Sequence, residues 1–499
     1  MLDSYTSGVL MHPSSLPGSF SIGDLGPAAR QYADSLQRSG QSWWQVLPIN
    51  PVGPGESPYS TTCSLAGEEL LISPHDLQSL GLIKSKLPKA LLTSNKVNFR
   101  KARKEKSPLF AEAFEAFAKR SDLQKQMASW KQKQNWLEDY SLYRACAEHL
   151  KQCDWSLWPK DLKNREPKAL ENMKRSLKNE IAYIEFLQFL FALQWKALRT
   201  YASDRGIKFM GDLPIFVSHG SSDVWANQNL FCLRPDGSMK VVAGVPPDPF
   251  FADGQKWGNA LYDWPKHQAQ SFSWWCERFK SLLEAFDMVR IDHFIGFHHY
   301  WEIPADAPTA KTGRWVRTPG KELFQALKAS LGSIPMIAED LGSVTPEVWA
   351  LRDQFEIPGM RVLQFGFYGD EGSLYHNPSR YVASCVAYGG THDNNTISGW
   401  YDDIKKDRKR KVMFRQLEQL LGKNGKEAAQ TMLRLSLECT AKLVINQMQD
   451  ILYLDGKHRM NVPGTPTGNW CWRMNPKAFT KAKEQEWALL TEASGRHLR

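Results

Sequence analysis

Three carboxylates stand at the ends of short apolar runs, where parallel strands commonly present side chains to a substrate. Asp292 ends "FDMVRID", Glu339 follows the apolar residues of "IPMIAED", and Asp393 lies in "GGTHDNNT" behind the flexible pair Gly389 and Gly390. The first two acids are 47 residues apart and the last two are 54 apart, which fits one βα unit and then two short ones. We expect the three carboxylates to converge at one end of a barrel.

The run that ends at Asp292 also carries a cation. A strand period of two puts Met288, Arg290 and Asp292 on one face, with Arg290 and Asp292 about 6–7 Å apart along the strand. A guanidinium at that distance is expected to lower the pKa of Asp292 and keep the carboxylate ionised. His293 falls on the opposite face by the same periodicity, and we predict a structural role for it.

Glu339 has different surroundings. It shares a strand face with Pro335 and Ile337, and such apolar neighbours are expected to raise its pKa so that it holds a proton near neutrality. One ionised and one protonated carboxyl suit the retaining cleavage of a glycosidic bond, and Asp393 could then orient sugar hydroxyls. A single Asp after an apolar run more often caps a helix or forms a turn. Because three acids lie in register on three candidate barrel strands, catalysis and local structure are equal alternatives at this level.

Eight short apolar runs alternate with amphipathic, helix-length segments. This alternation indicates βα units, a parallel sheet and the α/β class, and eight units predict a (β/α)8 TIM barrel. The last run, at 443–454, could also be a helix. The runs begin at Ser7, Ser42, Ile207, Phe286, Ile334, Arg361, Val382 and Leu443.

The second and third runs are much farther apart than one βα loop requires. The residues between them are rich in Lys, Glu, Ala and Leu, and their pattern is mostly helical. We therefore predict large helical insertions between barrel strands. The predicted boundaries assign 1–62 and 202–499 to the catalytic barrel and 63–201 to a mainly helical insertion.

Composition narrows the class of protein. Of the 499 residues 42% are hydrophobic and 23% charged, which is ordinary for a globular protein, and the net charge is +10. Part of this excess lies at Lys84–Lys106, where we predict a solvated helical face, with nucleic-acid binding as the less favoured alternative. The eight cysteines form no CxxC pair, which argues against zinc and thioredoxin-type sites. No secretion signal or membrane-length apolar stretch is present, so a cytoplasmic enzyme is expected.

Several long motifs, in order along the chain, closely resemble the 4-α-glucanotransferase family, which includes amylomaltase, also called disproportionating enzyme. The resemblance covers most of the chain outside the helical insertion, and it implies a (β/α)8 barrel that transfers α-1,4-glucan segments by a retaining mechanism. The motifs include "GVLMHPSSLPGSFSIGDLG", "WWQVLPINPVGPGESPYS", "GDLPIFVSHGSSDVWANQNLF", "GVPPDPFFADGQKWGNALYDW", "VRIDHFIGFHHYWEIPA", "IAEDLG", "GTHDNNTISGW" and "RMNVPGTPTGNWCWR".

The resemblance implies a role for each matched site residue. Asp292 would be the nucleophile, Glu339 the acid/base and Asp393 the transition-state stabiliser. The implied substrate-binding residues are Arg290, which would keep Asp292 charged, His392 and Asp212, which would bind hydroxyls, Tyr59, an aromatic floor, and the sugar contacts Trp257 and Asn461. The implied partners are α-1,4-glucan oligosaccharides as donor and acceptor, with no metal, cofactor, nucleic acid or membrane, and a monomer or weak homo-oligomer is expected.

Three positions depart from the family pattern. Ile295 stands where the family usually has Arg, and Pro249 where it often has Tyr, so a basic contact and a hydroxyl are missing or supplied elsewhere. Glu68–Glu69 replace a usual Asn-Pro and could alter the loop after Tyr59. Phe250 and Phe251, which follow Pro249, could stack on a sugar or simply pack their loop.

Two other functions fit a glucan-acting barrel. An α-amylase-like retaining hydrolase would use similar acids but pass the sugar to water. A glucan-binding protein without catalysis is the other, although the presence of all three acids argues against it.

Overall fold

The computed structural model describes residues 2, 4–248, 251–342, 344–369, 371–407 and 410–497. Its strands are β1 Thr6–Leu10, β2 Trp43–Gln45, β3 Lys208–Pro214, β4 Val217–Ser218, β5 Val241–Val245, β6 Gln255–Ala260, β7 Met288–Asp292, β8 His299–Pro304, β9 Arg314–Arg317, β10 Met336–Ala338, β11 Gly359–Val362, β12 Cys385–Tyr388 and β13 Leu443–Gln447. Its α-helices are α1 Pro27–Arg38, α2 Pro74–Ser79, α3 Phe99–Phe117, α4 Ser121–Lys131, α5 Leu137–Leu150, α6 Lys160–Lys163, α7 Pro167–Ser176, α8 Lys178–Ser203, α9 Ser222–Ala226, α10 Trp264–Ala269, α11 Ser273–Ala285, α12 Gly320–Leu331, α13 Pro346–Gln354, α14 Glu371–Tyr375, α15 Ile397–Lys406, α16 Lys411–Leu421, α17 Gly425–Glu438, α18 Met448–Ile451 and α19 Lys481–Ala493.

Eight parallel strands close into a barrel in the order β1-β13-β12-β11-β10-β7-β3-β2. Each predicted apolar run supplies one of them, so the TIM-barrel prediction is confirmed. The run at 443–454 provides β13 and then the short helix α18, which resolves the strand-or-helix alternative. Branched and aliphatic residues such as Val9, Ile291, Ile337 and Ile445 are fully buried along these strands, as parallel strands covered on both faces require.

A second sheet was not predicted. Five antiparallel strands pair in the order β4-β6-β5-β8-β9. Because β4 follows β3 and β8 follows β7 within a few residues, this sheet flanks the carboxyl end of the barrel. Its strands are short, and a segment such as "QKWGNA" lacks the alternation of apolar and polar residues that signals a strand.

The segment between β2 and β3 is built from helices. Helices α2 to α7 lie within it, and the 26-residue helix α8 leads into β3. Helix α8 packs against the barrel, with the rings of Trp195 and Phe209 4.8 Å apart. Its long buried stretch explains why the segment stays attached to the barrel, and the division at 63–201 stays a prediction.

The basic segment Lys84–Lys106 is only partly a solvated face. Most of its cations on α3 are exposed, but the Lys106 side chain is fully buried. The Lys106 ammonium lies 3.1 Å from Asp24 and donates to the carbonyl oxygens of Leu70 and Ile72 at 2.7 and 2.9 Å. The prediction is wrong at Lys106, because a buried acid and two backbone carbonyl oxygens surround the ammonium there.

Within the described residues, none of the helices combines the length and the apolar character needed to cross a membrane.

Candidate active site

Arg290 and Asp292 lie in the floor of a cavity at the carboxyl end of the barrel, and the Asp212 carboxylate is buried behind them. The Arg290 guanidinium donates to both oxygens of Asp212, at 2.9 and 2.7 Å, and its other terminal nitrogen lies 3.0 Å from Asp292 Oδ1. Arg290 and Asp212 point into the barrel from the neighbouring strands β7 and β3, where they are paired in register. The predicted contact between Arg290 and Asp292 is therefore present, but Arg290 serves two acids.

The pKa of Asp292 departs from the sequence prediction. Burial raises it, although Arg290 opposes the shift and Asp393 adds to it. The predicted lowering is wrong, because loss of water around the carboxylate outweighs one guanidinium that must also neutralise Asp212. Burial raises the pKa of Asp212 to about 7 for the same reason.

Glu339 follows strand β10 directly and lies beside Asp292. Burial raises its pKa well above the usual range, and the Asp292 charge adds to the shift while Arg290 opposes it. Its Oε2 accepts a hydrogen bond of 2.7 Å from the backbone N–H of His293. Asp292 touches a guanidinium and Glu339 only an amide, so Asp292 ionises first and Glu339 keeps the proton.

His293 has a role that strand periodicity missed. Strand β7 ends at Asp292, and His293 adopts a left-handed conformation with φ of 53°, which turns its N–H toward Glu339. Its ring meets the Trp257 indole edge to face at 4.9 Å and lines the cavity. Burial lowers its pKa to about 4, so the imidazole is neutral at neutral pH. A period of two cannot be extended past a strand end.

Asp393 is held from both sides. Asn461 donates to its Oδ1 at 2.7 Å, and His392 Nε2 lies 3.3 Å from its Oδ2. Burial lowers the pKa of His392 to about 4, so this is a contact with a neutral imidazole. Arg459, which was not predicted, donates to the backbone oxygen of Asp393 at 3.0 Å and to that of Asn461 at 2.7 Å, and so ties the two loops together.

Aromatic rings form one wall. The Tyr59 ring stacks on His392 with centroids 5.2 Å apart and planes 9° apart, and its hydroxyl donates to Asp212 at 2.9 Å. Trp470, also not predicted, lies 5.5 Å from the Tyr59 ring. Its presence in the motif that carries Asn461 was the available signal. These rings offer flat apolar faces beside polar groups, as sugar rings require.

The cavity has a volume of about 780 Å³. Eight of the nine predicted site residues line it, namely Tyr59, Trp257, Arg290, Asp292, Glu339, His392, Asp393 and Asn461. Asp212 lies behind them, with a carboxylate that is fully buried between Arg290 and Tyr59. In this structure it orients those two side chains, and its contact with a sugar hydroxyl stays a prediction.

Of the positions that depart from the family pattern, the structure describes Ile295 and the pair Glu68–Glu69. Ile295 is buried in the short 3-10 helix that follows His293 and belongs to the core. Pro249 and Phe250 lie outside the described residues. The Phe251 ring meets the backbone of Gly464, where an added Cβ would lie 2.9 Å from a ring carbon, so loop packing is its observed contact.

Glu68 and Glu69 fix the base of the Tyr59 loop. The buried Glu68 carboxylate accepts the N–H groups of Val52 and Leu70, each at 2.9 Å, and Glu69 pairs with Arg103 at 2.8 Å. The loop that carries Tyr59 is therefore held through side chains as well as its own turns.

Among the residues that the structure describes, no group of three or more His, Cys, Asp or Glu side chains is placed to hold a metal ion.

Comparison with known proteins gives consistent similarities. The family profile described as 4-alpha-glucanotransferase matches residues 11–480. The 4-alpha-glucanotransferase of Synechocystis is 43% identical and that of Thermus thermophilus 41%, with 100% and 98% of this chain and 99% and 98% of those proteins covered. Amylomaltase from Streptococcus agalactiae, solved in complex with acarbose, superposes with a TM-score of 0.93 at 34% identity, covering 99% of this chain and 100% of that one.

Proposed function

The chain belongs to the 4-alpha-glucanotransferase family, and on that premise we propose that Asp292, Glu339 and Asp393 carry out its reaction. A 4-α-glucanotransferase moves an α-1,4-glucan segment from a donor maltodextrin to the 4-hydroxyl of an acceptor glucose or glucan. The observation that carries the assignment is that one cavity holds all three acids, with Arg290 against Asp292 and an amide against Glu339.

In the first step, Glu339 donates its proton to the glycosidic oxygen while Asp292 attacks the anomeric carbon. The bond to the departing glucan breaks, and a covalent glucosyl-enzyme forms on Asp292. The raised pKa of Glu339 supports this role, because the acid must still carry its proton when the donor binds. Arg290 stabilises the carboxylate form of Asp292 before attack.

In the second step, Glu339 takes the proton of the acceptor 4-hydroxyl, whose oxygen attacks the anomeric carbon and releases Asp292. Two inversions leave the α-configuration unchanged. Asp393 is fixed by Asn461 with one oxygen toward His392, so its negative charge is preorganised for the cationic sugar of both transition states.

Transfer requires an acceptor sugar to be held better than water. The cavity has aromatic walls, formed by Tyr59, Trp257 and His293. A donor or acceptor ring can stack against them and exclude water from the reacting carbon. Donor and acceptor α-1,4-glucan oligosaccharides are therefore the proposed partners of this cavity.

Incubation with pure maltotriose tests transfer directly. We expect glucose together with chains longer than maltotriose, because the enzyme-bound maltosyl or glucosyl unit passes to another sugar. Chromatography of the products with time would show both. Production of shorter sugars alone, with reducing ends rising steadily, would instead identify a hydrolase.

The pH dependence of kcat/KM should be bell-shaped. Activity falls at acid pH as Asp292 gains a proton. This acid limb should lie at a higher pH than the pKa of a free Asp, because burial raises the pKa of Asp292. Activity falls at alkaline pH as Glu339 loses the proton that the leaving group needs, and this limb lies well above the range of a free Glu. Initial rates across pH would show both limbs, and absence of the alkaline limb would contradict the role of Glu339.

Cytoplasmic location and a monomeric or weakly homo-oligomeric state stay predictions. Cell fractionation and light scattering on the purified protein would test them.

A further inference from the structure

A second large cavity lies on the side of the barrel, away from the three acids. Its volume is about 780 Å³, and it is bounded by helix α8, by the end of helix α11 and by the junction between α4 and α5. The junction reaches α11 through Asn135, which donates to Glu277 at 3.4 Å. Of the nine residues predicted for the catalytic site, this groove touches only Asp212 within the described structure.

The groove is elongated. Along α8 its lining extends from Gln188 to Ser203, which corresponds to about 22 Å at the helical rise. One end reaches Asn50 and Ser64, in the loop after β2 that also carries Tyr59. The other end reaches Asp287, which precedes β7. The groove therefore runs from the catalytic end of the barrel toward its base, a shape that suits a linear ligand.

The lining is aromatic and amide-rich. Trp130 and Trp136 are half-buried, and each packs one neighbour, Phe189 and Tyr140 respectively, at 5.9 Å. Gln126 and Gln134 add side-chain amides beside the indoles. Aromatic faces with a few polar groups are typical of ligand-binding clefts, and this combination matches the apolar faces and hydroxyl edges of sugar rings.

The charges in the groove are mixed. Arg199 donates to Asp287 at 3.4 Å, and the exposed Lys196 stands on the same wall as Asp204. Cations that are matched by acids favour a neutral ligand over a polyanion such as a nucleic acid.

We propose that this groove binds a second stretch of α-1,4-glucan and holds long chains against the protein while one end occupies the catalytic cavity. This inference rests on the proposed function, since it assigns the same class of substrate. Among the described residues, none lines both the groove and the catalytic cavity, so we expect only glucans longer than a trisaccharide seated at the three acids to contact the groove. It thus selects chain length without taking part in the chemistry.

The double variant Trp130→Ala with Trp136→Ala tests the groove. We expect an increase in KM for amylose of about tenfold, as two stacking faces are lost, with kcat/KM for maltotriose unchanged. Trp315→Ala is the matched control, because this indole is 45% exposed on β9 outside the groove. The control should leave both substrates unaffected.

An unchanged KM for amylose in the double variant would overturn the proposal, as would equal losses on amylose and maltotriose or an equal effect of the control. Gln126→Ala with Lys196→Ala is a second variant that spares folding, because both side chains are exposed. It should raise the amylose KM about two- to threefold, and no change would likewise overturn the proposal. Failure of the unsubstituted enzyme to elongate maltotriose would refute the proposed function instead, which separates the two outcomes.

Discussion

Replacing Asp292 with Asn is expected to reduce glucan transfer by roughly 10⁴-fold or more while glucan binding persists. An amide oxygen is a poor nucleophile, so the glucosyl-enzyme does not form. The shape of the side chain is kept, and Arg290 still has Asp212 as a partner at 2.7 Å, so the floor of the cavity should remain intact. Transfer rates from maltotriose, with calorimetric binding of the same sugar, would separate the two effects.

The Asp292→Asn variant has a second readout. The Asp292 charge contributes to the raised pKa of Glu339, so its removal should lower that pKa. Asp306→Asn is the matched control, since this side chain is 82% exposed and pairs with Arg234 at the surface. Near-normal transfer by Asp292→Asn would contradict the assignment of Asp292 as nucleophile. A variant that loses sugar binding together with transfer would also contradict it.

Replacing Glu339 with Gln is expected to lower transfer from natural glucans by about 10³-fold, because the leaving sugar no longer receives a proton. A donor whose leaving group needs no proton, such as α-maltotriosyl fluoride, should bypass the defect in the first step. Fluoride release would then continue while the second step, which lacks its base, stays slow. We therefore expect the glycosyl-enzyme to accumulate and to be visible as a mass increase of the intact protein.

The control for this variant is Glu322→Gln, an exposed position on α12 that does not line the cavity. It should leave transfer and the alkaline limb of the pH profile unchanged, whereas Glu339→Gln should remove that limb. If Glu339→Gln transferred natural glucans at nearly the normal rate, another group would be the acid. The backbone N–H of His293 can still donate to the amide oxygen of the variant, so local folding should be preserved.

The barrel could be read from the sequence because parallel strands leave a strong local signal. Each strand is covered on both faces, so runs such as those at Val9 and Ile445 are buried along their length and rich in apolar residues. The five-stranded sheet leaves no comparable signal. Its strands are short and pair through distant partners, such as Val241 with Pro304, so their pairing is fixed by tertiary contacts.

In the site, too, some positions follow from the sequence pattern and others only from tertiary structure. Strand periodicity placed Arg290 beside Asp292, and barrel topology brought Glu339 and Asp393 to them. Periodicity failed at His293, because the chain leaves the strand there with φ of 53°.

The sequence by itself determined the residues that could do chemistry, the order of the strands that present them and the family to which the motifs belong. Only the tertiary structure decided their electrostatics, because a pKa depends on burial and on every charge nearby. Arg290 alone predicted a lowered pKa for Asp292. The buried cavity, with Asp212 sharing the same guanidinium, raises that pKa instead. A neighbour along the strand is visible in the sequence, but the exclusion of water is a property of the folded barrel.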